Sequence, residues 1–246
     1  MLNLSDQMTT LGFYADISGI SKDLLKGNDA KVMHLIYQLA NDLHHLGAYA
    51  ADHNLARFLM YQMGDGFMVH FDNVKFKANA NCHGDANSMV RLTVSLAYRF
   101  LIKHNGILKI GLAEGDFFGI SHSGFKFVEG NSNGNNSYRC KEGLIFLLPV
   151  SGALLAKTYH LTNLHNTNKY FEPTIFIHSD LYGVLSNEMK ECLIKQQSKD
   201  GFWWIYDLKR SPGKSISDIY NQVWDEEINS EKFLTVLDEY NKVLSV

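Results

Sequence analysis

The spacing of apolar and polar positions divides the chain into strands and helices. Thr10 to Ile17 (TLGFYADI) is a β-prone run with an acidic residue near its end, and Ser18-Gly19 breaks it before a helical pattern begins. That stretch predicts strand, turn, helix. From Asp29 to Ala48, Val32, Leu35, Ile36, Leu39, Leu43 and Leu46 recur at helical spacing and leave Lys31, Gln38, Asn41 and Asp42 for solvent. Ala56 to Met63 and Phe67 to Phe71 are β-prone runs joined by Gly64-Asp65-Gly66, whose Asp-Gly dipeptide is a strong hairpin signal. The hairpin tip thus carries a carboxylate. Asn87 to Lys103 reads as a second amphipathic helix with Met89, Leu92, Leu96 and Phe100 on one face, closed by Asn105-Gly106, and Ile107 to Leu112 returns as a strand.

Gly119 to Gly143 is rich in Gly, Asn and Ser, and its GNSNGNNS stretch has too little apolar content to pack, so a mobile loop is expected there. Pro149 to Leu161 resumes a helical pattern. Thr174 to Ile177 and Phe202 to Leu208 read as late strands, and Ser215 to Val246 as helical, with Trp224, Phe233, Leu234 and Leu237 as its contacts. No internal repeat is visible. The order β, α, β, β, α, β, then α and further strands, predicts an α+β fold: an antiparallel-centred sheet with helices packed on one face. The expected division is a main domain over 1–210 and a helical extension over 211–246.

Composition narrows the function classes. The chain has 246 residues, 46% hydrophobic and 20% charged, enough for a full core in one or two domains. A formal net charge of -3 leaves no basic surplus for a nucleic-acid backbone, so no nucleic-acid partner is expected and any phosphate ligand must be held locally. The 3 cysteines, Cys82, Cys140 and Cys192, are far apart and outside any CxxC spacing, which argues against a disulfide framework and a zinc site. No basic start followed by an apolar run opens the chain, and no apolar stretch approaches the roughly 20 residues of a membrane helix. A cytoplasmic protein without a membrane span is expected.

Two carboxylates stand out against this background. Asp16 lies at the end of the first strand and Asp65 at the hairpin tip, and neighbouring strands would bring them together. Two carboxylates bridging hard cations suit Mg²⁺ or Mn²⁺, and a pair of such ions about 3.5 to 4 Å apart can activate a hydroxyl and neutralise a transferring phosphoryl group. Ser18, Gly19, Ile20 and Ser21 follow at once, so their backbone N–H groups and the next helix N-terminus could cradle phosphates without Lys or Arg.

The segment Phe13-Tyr14-Ala15-Asp16-Ile17-Ser18-Gly19-Ile20-Ser21 resembles the first metal motif of the class III adenylyl and guanylyl cyclases. Gly64-Asp65-Gly66-Phe67 resembles the second, and Lys109 to Asp116 (KIGLAEGD) is similar to the strand-turn segment that follows. Order and rough spacing agree over about Thr10 to Leu161. The resemblance implies a palm-type, ferredoxin-like sheet, and two Mg²⁺ or Mn²⁺ ions per site held by Asp16, Asp65 and the Ile17 carbonyl. It also implies catalysis by Asp16 and Asp65 and a head-to-tail homodimer with sites at the interface.

Where related cyclases carry a purine-reading lysine or glutamate, three residues before the hairpin glycine, this chain has Tyr61. That substitution resembles the stand-alone pyrimidine cyclases of bacterial Pycsar anti-phage systems, and implies synthesis of cyclic UMP or cyclic CMP from UTP or CTP, read by a separate effector. Strand alternation groups Arg57 with Tyr61 as base-binding candidates. The places of the family's ribose asparagine and transition-state arginine correspond to Ala156 and His160. A substitute cation is then needed on the transferring phosphoryl group, and Lys157, His160 and Arg139 are the candidates. A purine cyclase, or a degenerate cyclase-like domain that binds nucleotide without turnover, are the competing readings.

Overall fold

The first strand is apolar on both sides: Phe13, Ala15 and Ile17 point one way, Tyr14 the other, and all four are buried. Such a strand belongs inside a sheet covered on both faces, and a computed structural model of the chain places it there. The structure describes residues 9–53, 55, 58–71, 86–119, 137–140, 143–146, 150–168, 173–198, 201–207, 213–226 and 235. In chain order the elements are β1 (Thr9–Ile17), α1 (Ile20–Leu25), α2 (Asp29–Asp52), β2 (Phe58–Met63), β3 (Gly66–Phe71), α3 (Ala86–His104), β4 (Leu108–Asp116), β5 (Phe118–Gly119), β6 (Ser137–Cys140), β7 (Gly143–Phe146), β8 (Val150–Ser151), α4 (Ala153–Asn168), β9 (Thr174–His178), α5 (Ser179–Tyr182), α6 (Asn187–Glu191), β10 (Leu193–Ser198), β11 (Gly201–Tyr206) and α7 (Gly213–Trp224). Seven strands form the main sheet in the order β10-β11-β9-β4-β1-β3-β2. Every pairing is antiparallel except β4 with β9. The expected α+β class and antiparallel-centred sheet are present.

The helices do not share one face, as the sequence suggested. Phe13, Ala15 and Ile17 pack with Leu39, Leu43 and Leu46 of α2 and with Leu92, Leu96 and Phe100 of α3. Tyr14, Met68 and Ala113 look the other way and pack with Leu154 of α4, and Phe176 and Trp203 meet Leu161 and Leu164 of the same helix. Both sheet faces are apolar, so both are covered. Small residues seat α4 close against the sheet: a Cβ on Gly111 would come within 2.3 Å of the Thr158 carbonyl oxygen, and one on Gly115 within 2.7 Å of the Leu154 nitrogen.

Two further expectations need correction. Asp42, placed in solvent by the α2 pattern, is buried. Its Oδ1 accepts from Arg99 Nε at 3.1 Å, and its Oδ2 lies 3.0 Å from His104 Nε2. The expected loop over Gly119 to Gly143 includes β6, which pairs with β7 in a short hairpin, while 120–136 and 141–142 lie outside the described residues. α3 ends as predicted: Asn105 adopts φ 50 and its N–H donates to the Leu101 carbonyl at 3.1 Å, an αL-type cap, while the Gly106 N–H reaches the Phe100 carbonyl at 3.3 Å.

The segment after residue 210 packs on the helical layer through α7. Tyr220, Val223 and Trp224 enter the same core as α2 and α3, and Trp224 Nε1 donates to Ser95 Oγ at 2.7 Å. Among the described residues no helix is long and apolar enough to cross a membrane.

Candidate active site

The β2–β3 hairpin turns on two residues, and they are Gly64 and Asp65 rather than the Asp65-Gly66 pair that the dipeptide suggested. Gly64 takes φ 66, the positive-φ first position that a two-residue hairpin turn of the II′ kind reserves for glycine. Gly66 already lies in β3 and must be glycine for a different reason. A Cβ there would come within 2.3 Å of Tyr14 Oη and 2.9 Å of the Ala15 carbonyl oxygen. Tyr14 Oη in turn donates to the Met63 carbonyl at 3.3 Å, so the tyrosine of β1 pins the hairpin end beside its own strand.

This pinning sets Asp65 near Asp16. β1 pairs with β3 with Ala15 opposite Phe67, so the next step sets Asp16 toward Gly66, one residue from Asp65. On its other side Asp16 faces Lys109 of β4 directly, and Lys109 Nζ lies 2.7 Å from Asp16 Oδ2. Both side chains are largely buried, 8% exposed for Lys109 and 16% for Asp16. Asp16 Oδ1 is buried with no hydrogen-bond partner. Burial pushes the Asp16 carboxyl above its usual range, against the pull of Lys109, and the Asp65 charge pushes in the same direction. The Tyr14 hydroxyl is likewise driven up, by burial first and then by Asp16 and Asp65. A buried carboxylate with one orphaned oxygen and a second carboxylate beside it fits a divalent cation. Among the described residues no three His, Cys, Asp or Glu side chains form a closed cage. A cation here would therefore draw its remaining ligands from backbone, water or substrate oxygens, as Mg²⁺ commonly does. The Ile17 carbonyl is on the adjoining residue of β1.

Of the expected phosphate seat, Ser18 is engaged elsewhere, because its N–H donates to the Ile107 carbonyl at 2.8 Å. Gly19 takes φ 86 and Ile20 opens α1, a helix of six residues that also contains Ser21. Tyr61 stands on the α4 face of the sheet, half-buried, its ring 5.8 Å from the His70 ring and 5.3 Å from Phe117. Its grouped partner Arg57 lies outside the described residues. Arg139 falls on β6, opposite Leu144.

Lys157 and His160 are not brought to the carboxylates of their own chain. Lys157 Nζ donates to Asp180 Oδ2 at 2.5 Å and to the Glu114 carbonyl at 2.9 Å, and His160 is exposed on α4. Asp180 also lies 3.2 Å from His178 Nδ1. The hydrogen bond from Lys157 holds the Asp180 carboxyl below its usual range, and burial lowers His178. β4 pairs with β9 with Lys109 opposite Thr174, so His178 sits four residues further along, about 13 Å from the Lys109 level at ~3.3 Å per residue.

Lys109 is the site residue that local sequence patterns missed. It stands inside a run read as a strand and as part of the strand-turn segment of the resemblance, with no role of its own, and its pairing with Asp16 depends on the β1–β4 register. Alternation in β4 carried a signal, because a lysine between Leu108 and Ile110 on a doubly covered strand must find a buried counter-charge.

No protein-family model matches the chain, and no curated protein sequence does. Solved structures similar to it include the guanylyl cyclase Cya2, at 16% identity and TM-score 0.47 over 82% of this chain and 91% of that one. A bacterial light-regulated adenylyl cyclase is similar at 10% identity and TM-score 0.47 over 87% and 97% of the two chains. The adenylyl cyclase CyaB from P. aeruginosa is similar at 12% identity and TM-score 0.45 over 81% and 94%.

Proposed function

We propose that the chain is a nucleotide cyclase that closes a pyrimidine nucleoside triphosphate, UTP or CTP, into its 3′,5′-cyclic monophosphate and pyrophosphate. The observation that carries this reading is the Asp16–Asp65 carboxylate pair, with the buried Asp16 Oδ1 lacking a hydrogen-bond partner. The motif resemblance around both residues supports it. Two divalent ions, Mg²⁺ or Mn²⁺, held by Asp16, Asp65 and the Ile17 carbonyl would promote loss of the ribose 3′-hydroxyl proton and neutralise charge on the α-phosphate and the departing pyrophosphate. Gly19, Ile20 and Ser21, at the start of α1, would offer backbone N–H groups to the phosphates, and Tyr61, on the sheet face that carries Asp16, would meet the base. A head-to-tail homodimer would bring Lys157 or His160 of one copy to the carboxylate pair of the other. An anti-phage signalling role, with a separate effector reading the cyclic nucleotide, follows from the same resemblance.

Incubating pure protein with each of the four triphosphates and Mn²⁺, then identifying products by mass spectrometry, tests the reading. Cyclic UMP or cyclic CMP is the expected product, and Asp16→Asn or Asp65→Ala should abolish it while the fold survives, because Asp65 tips the hairpin and asparagine keeps an oxygen acceptor for the buried Lys109 ammonium. Cyclic product at wild-type rate from either variant would remove the two-metal assignment. The engagement of Lys157 by Asp180 favours a second reading, a nucleotide-binding domain without turnover. Nucleotide binding with no product from any triphosphate would establish that one instead.

A further inference from the structure

Apart from the aspartates themselves, the feature of the site that the proposed reaction leaves unexplained is the lysine buried between them and β9. Asp16 near the end of β1 and Asp65 at the hairpin turn lie close enough for their charges to act on each other, and an ammonium sits against Asp16. Lys109 Nζ touches Asp16 Oδ2 at 2.7 Å and leaves Oδ1 without a partner. Its neighbours across the sheet are Asp16 on β1 and Thr174 on β9. An ammonium so placed neutralises one of the two negative charges and blocks one of the two Asp16 oxygens. A cation that uses both oxygens has to move it.

We infer that Lys109 is a built-in counter-cation of the carboxylate pair, which a divalent ion must displace from Asp16 Oδ2 before the site is fully occupied. This rests on the carboxylate pair being the cation site of the proposed cyclase, and it adds a residue that sets metal affinity rather than one that carries chemistry. Three consequences follow from the geometry. Lys109 keeps the ion-free site folded by offsetting carboxylate repulsion. It weakens metal binding by the work of breaking a buried ion pair. It is also buried at 8% exposure, so the displaced ammonium would stay close to the ion and meet whatever anion accompanies it. A lysine that served only to fold the strand, or only to touch substrate, would leave binding of the ion alone unchanged on substitution.

Mn²⁺ binding to the full chain without nucleotide, followed by the loss of the free-ion electron paramagnetic resonance signal, separates these cases. Lys109→Met should bind Mn²⁺ more tightly than the wild type by about tenfold or more, since no ammonium competes for Oδ2. Lys109→Arg, which keeps the charge, should bind no more tightly than the wild type. A thermal melt gives an independent readout: Lys109→Met should melt lower than the wild type without metal and recover more on adding Mn²⁺. Should Lys109→Met fail to fold, Lys109→Gln keeps a donor for Oδ2, drops the charge and carries the same expectation. Mn²⁺ binding by Lys109→Met or Lys109→Gln at wild-type strength or weaker, including no binding by any protein, overturns the inference. The parent reading fails separately. If Asp16→Asn and Asp65→Asn leave wild-type Mn²⁺ binding intact, the carboxylate pair is not the cation site. If they abolish it while Lys109→Met matches the wild type, only the role of Lys109 is lost.

Discussion

Tyr61 is the residue whose position narrows its role most. It lies opposite Met68 in the β2–β3 pairing and faces the α4 side of the sheet, with His70 and Phe117 against its ring. The first long helix, α2, packs on the other face, so contact with that helix does not account for the residue. A half-buried phenol on the face that carries Asp16 and Lys109 can wedge against a nucleobase, offer one hydroxyl and shorten the space a purine would need. Tyr61→Ala is therefore expected to cut pyrimidine turnover by about tenfold or more and to raise the relative rate on purines. The melting temperature should fall by only a few degrees, about what loss of ~1 kcal/mol produces in a domain of this size. Rates on all four triphosphates beside a thermal melt decide this, and an unaltered base preference with a lower melting temperature assigns Tyr61 to packing alone.

Among the elements, α7 shows how a polar network can dock a helix that contributes only a few core residues. Arg99 of α3 reaches Asp42 at 3.1 Å and Glu226, just past α7, at 2.7 Å; Lys103 meets the same glutamate at 2.8 Å. The Arg99 guanidinium also lies over the Trp224 ring at 4.6 Å, and the His45 ring stacks on the same indole at 5.1 Å. Burial works against the Glu226 charge, but Lys103 and Arg99 outweigh it and hold the carboxyl below its ordinary value of 4.5. A carboxyl lowered in this way adds stability above that value, and the contribution disappears as pH falls through the folded-state pKa. Glu226→Gln should cost about 1 kcal/mol at neutral pH, and the gap to the wild type should close in acid. Urea unfolding of both proteins from pH 7 down to the most acidic pH at which both still fold measures it, and a gap that does not narrow as pH falls would argue that the glutamate acts by shape. The same network explains what the sequence could and could not reveal. β1, α2, the β2–β3 hairpin and α3 were legible because each has a local period or turn signal. Asp42 was misplaced because its partners lie 57 and 62 residues away, on another helix. The helical reading from Pro149 takes in Val150 and Ser151, which pair with β5 as β8, and α4 begins only at Ala153. β10 (LIKQQS) was missed as too polar, which suits a strand at the sheet edge. Asp16 and Asp65 could be picked out because each stands in its own short motif, whereas Lys109 acquires meaning only through the pairing of β4 with β1.

At the scale of the whole molecule Lys157 is held apart from the carboxylate pair of its own chain. α4 runs over β4 with Leu154 at Gly115 and Thr158 at Gly111, and Lys157 is tied to the Glu114 carbonyl and to Asp180, just past the β9 C-terminal end, rather than to Asp16. Its outer side presents Ala156, Tyr159 and His160 to solvent, Tyr159 at 52% exposure. A second copy turned end for end would set that outer side against the first copy's carboxylate pair, and the twofold relation would build two equivalent sites, each assembled from both chains. Activity is then a property of the pair. Asp65→Ala and the double variant Lys157→Ala/His160→Ala should each be inactive alone. Mixed in equal amounts under conditions that let subunits exchange, half of the dimers are mixed, and each mixed dimer holds one site with both halves intact. Recovery should therefore approach about a quarter of wild-type activity, with the specific activity of the wild type falling on dilution as dimers dissociate. Steady-state rates on the mixture, read beside sedimentation of the same samples, check both statements. Full activity in a sedimenting monomer would sink the shared site, and so would a mixture of exchanging dimers that stays inactive.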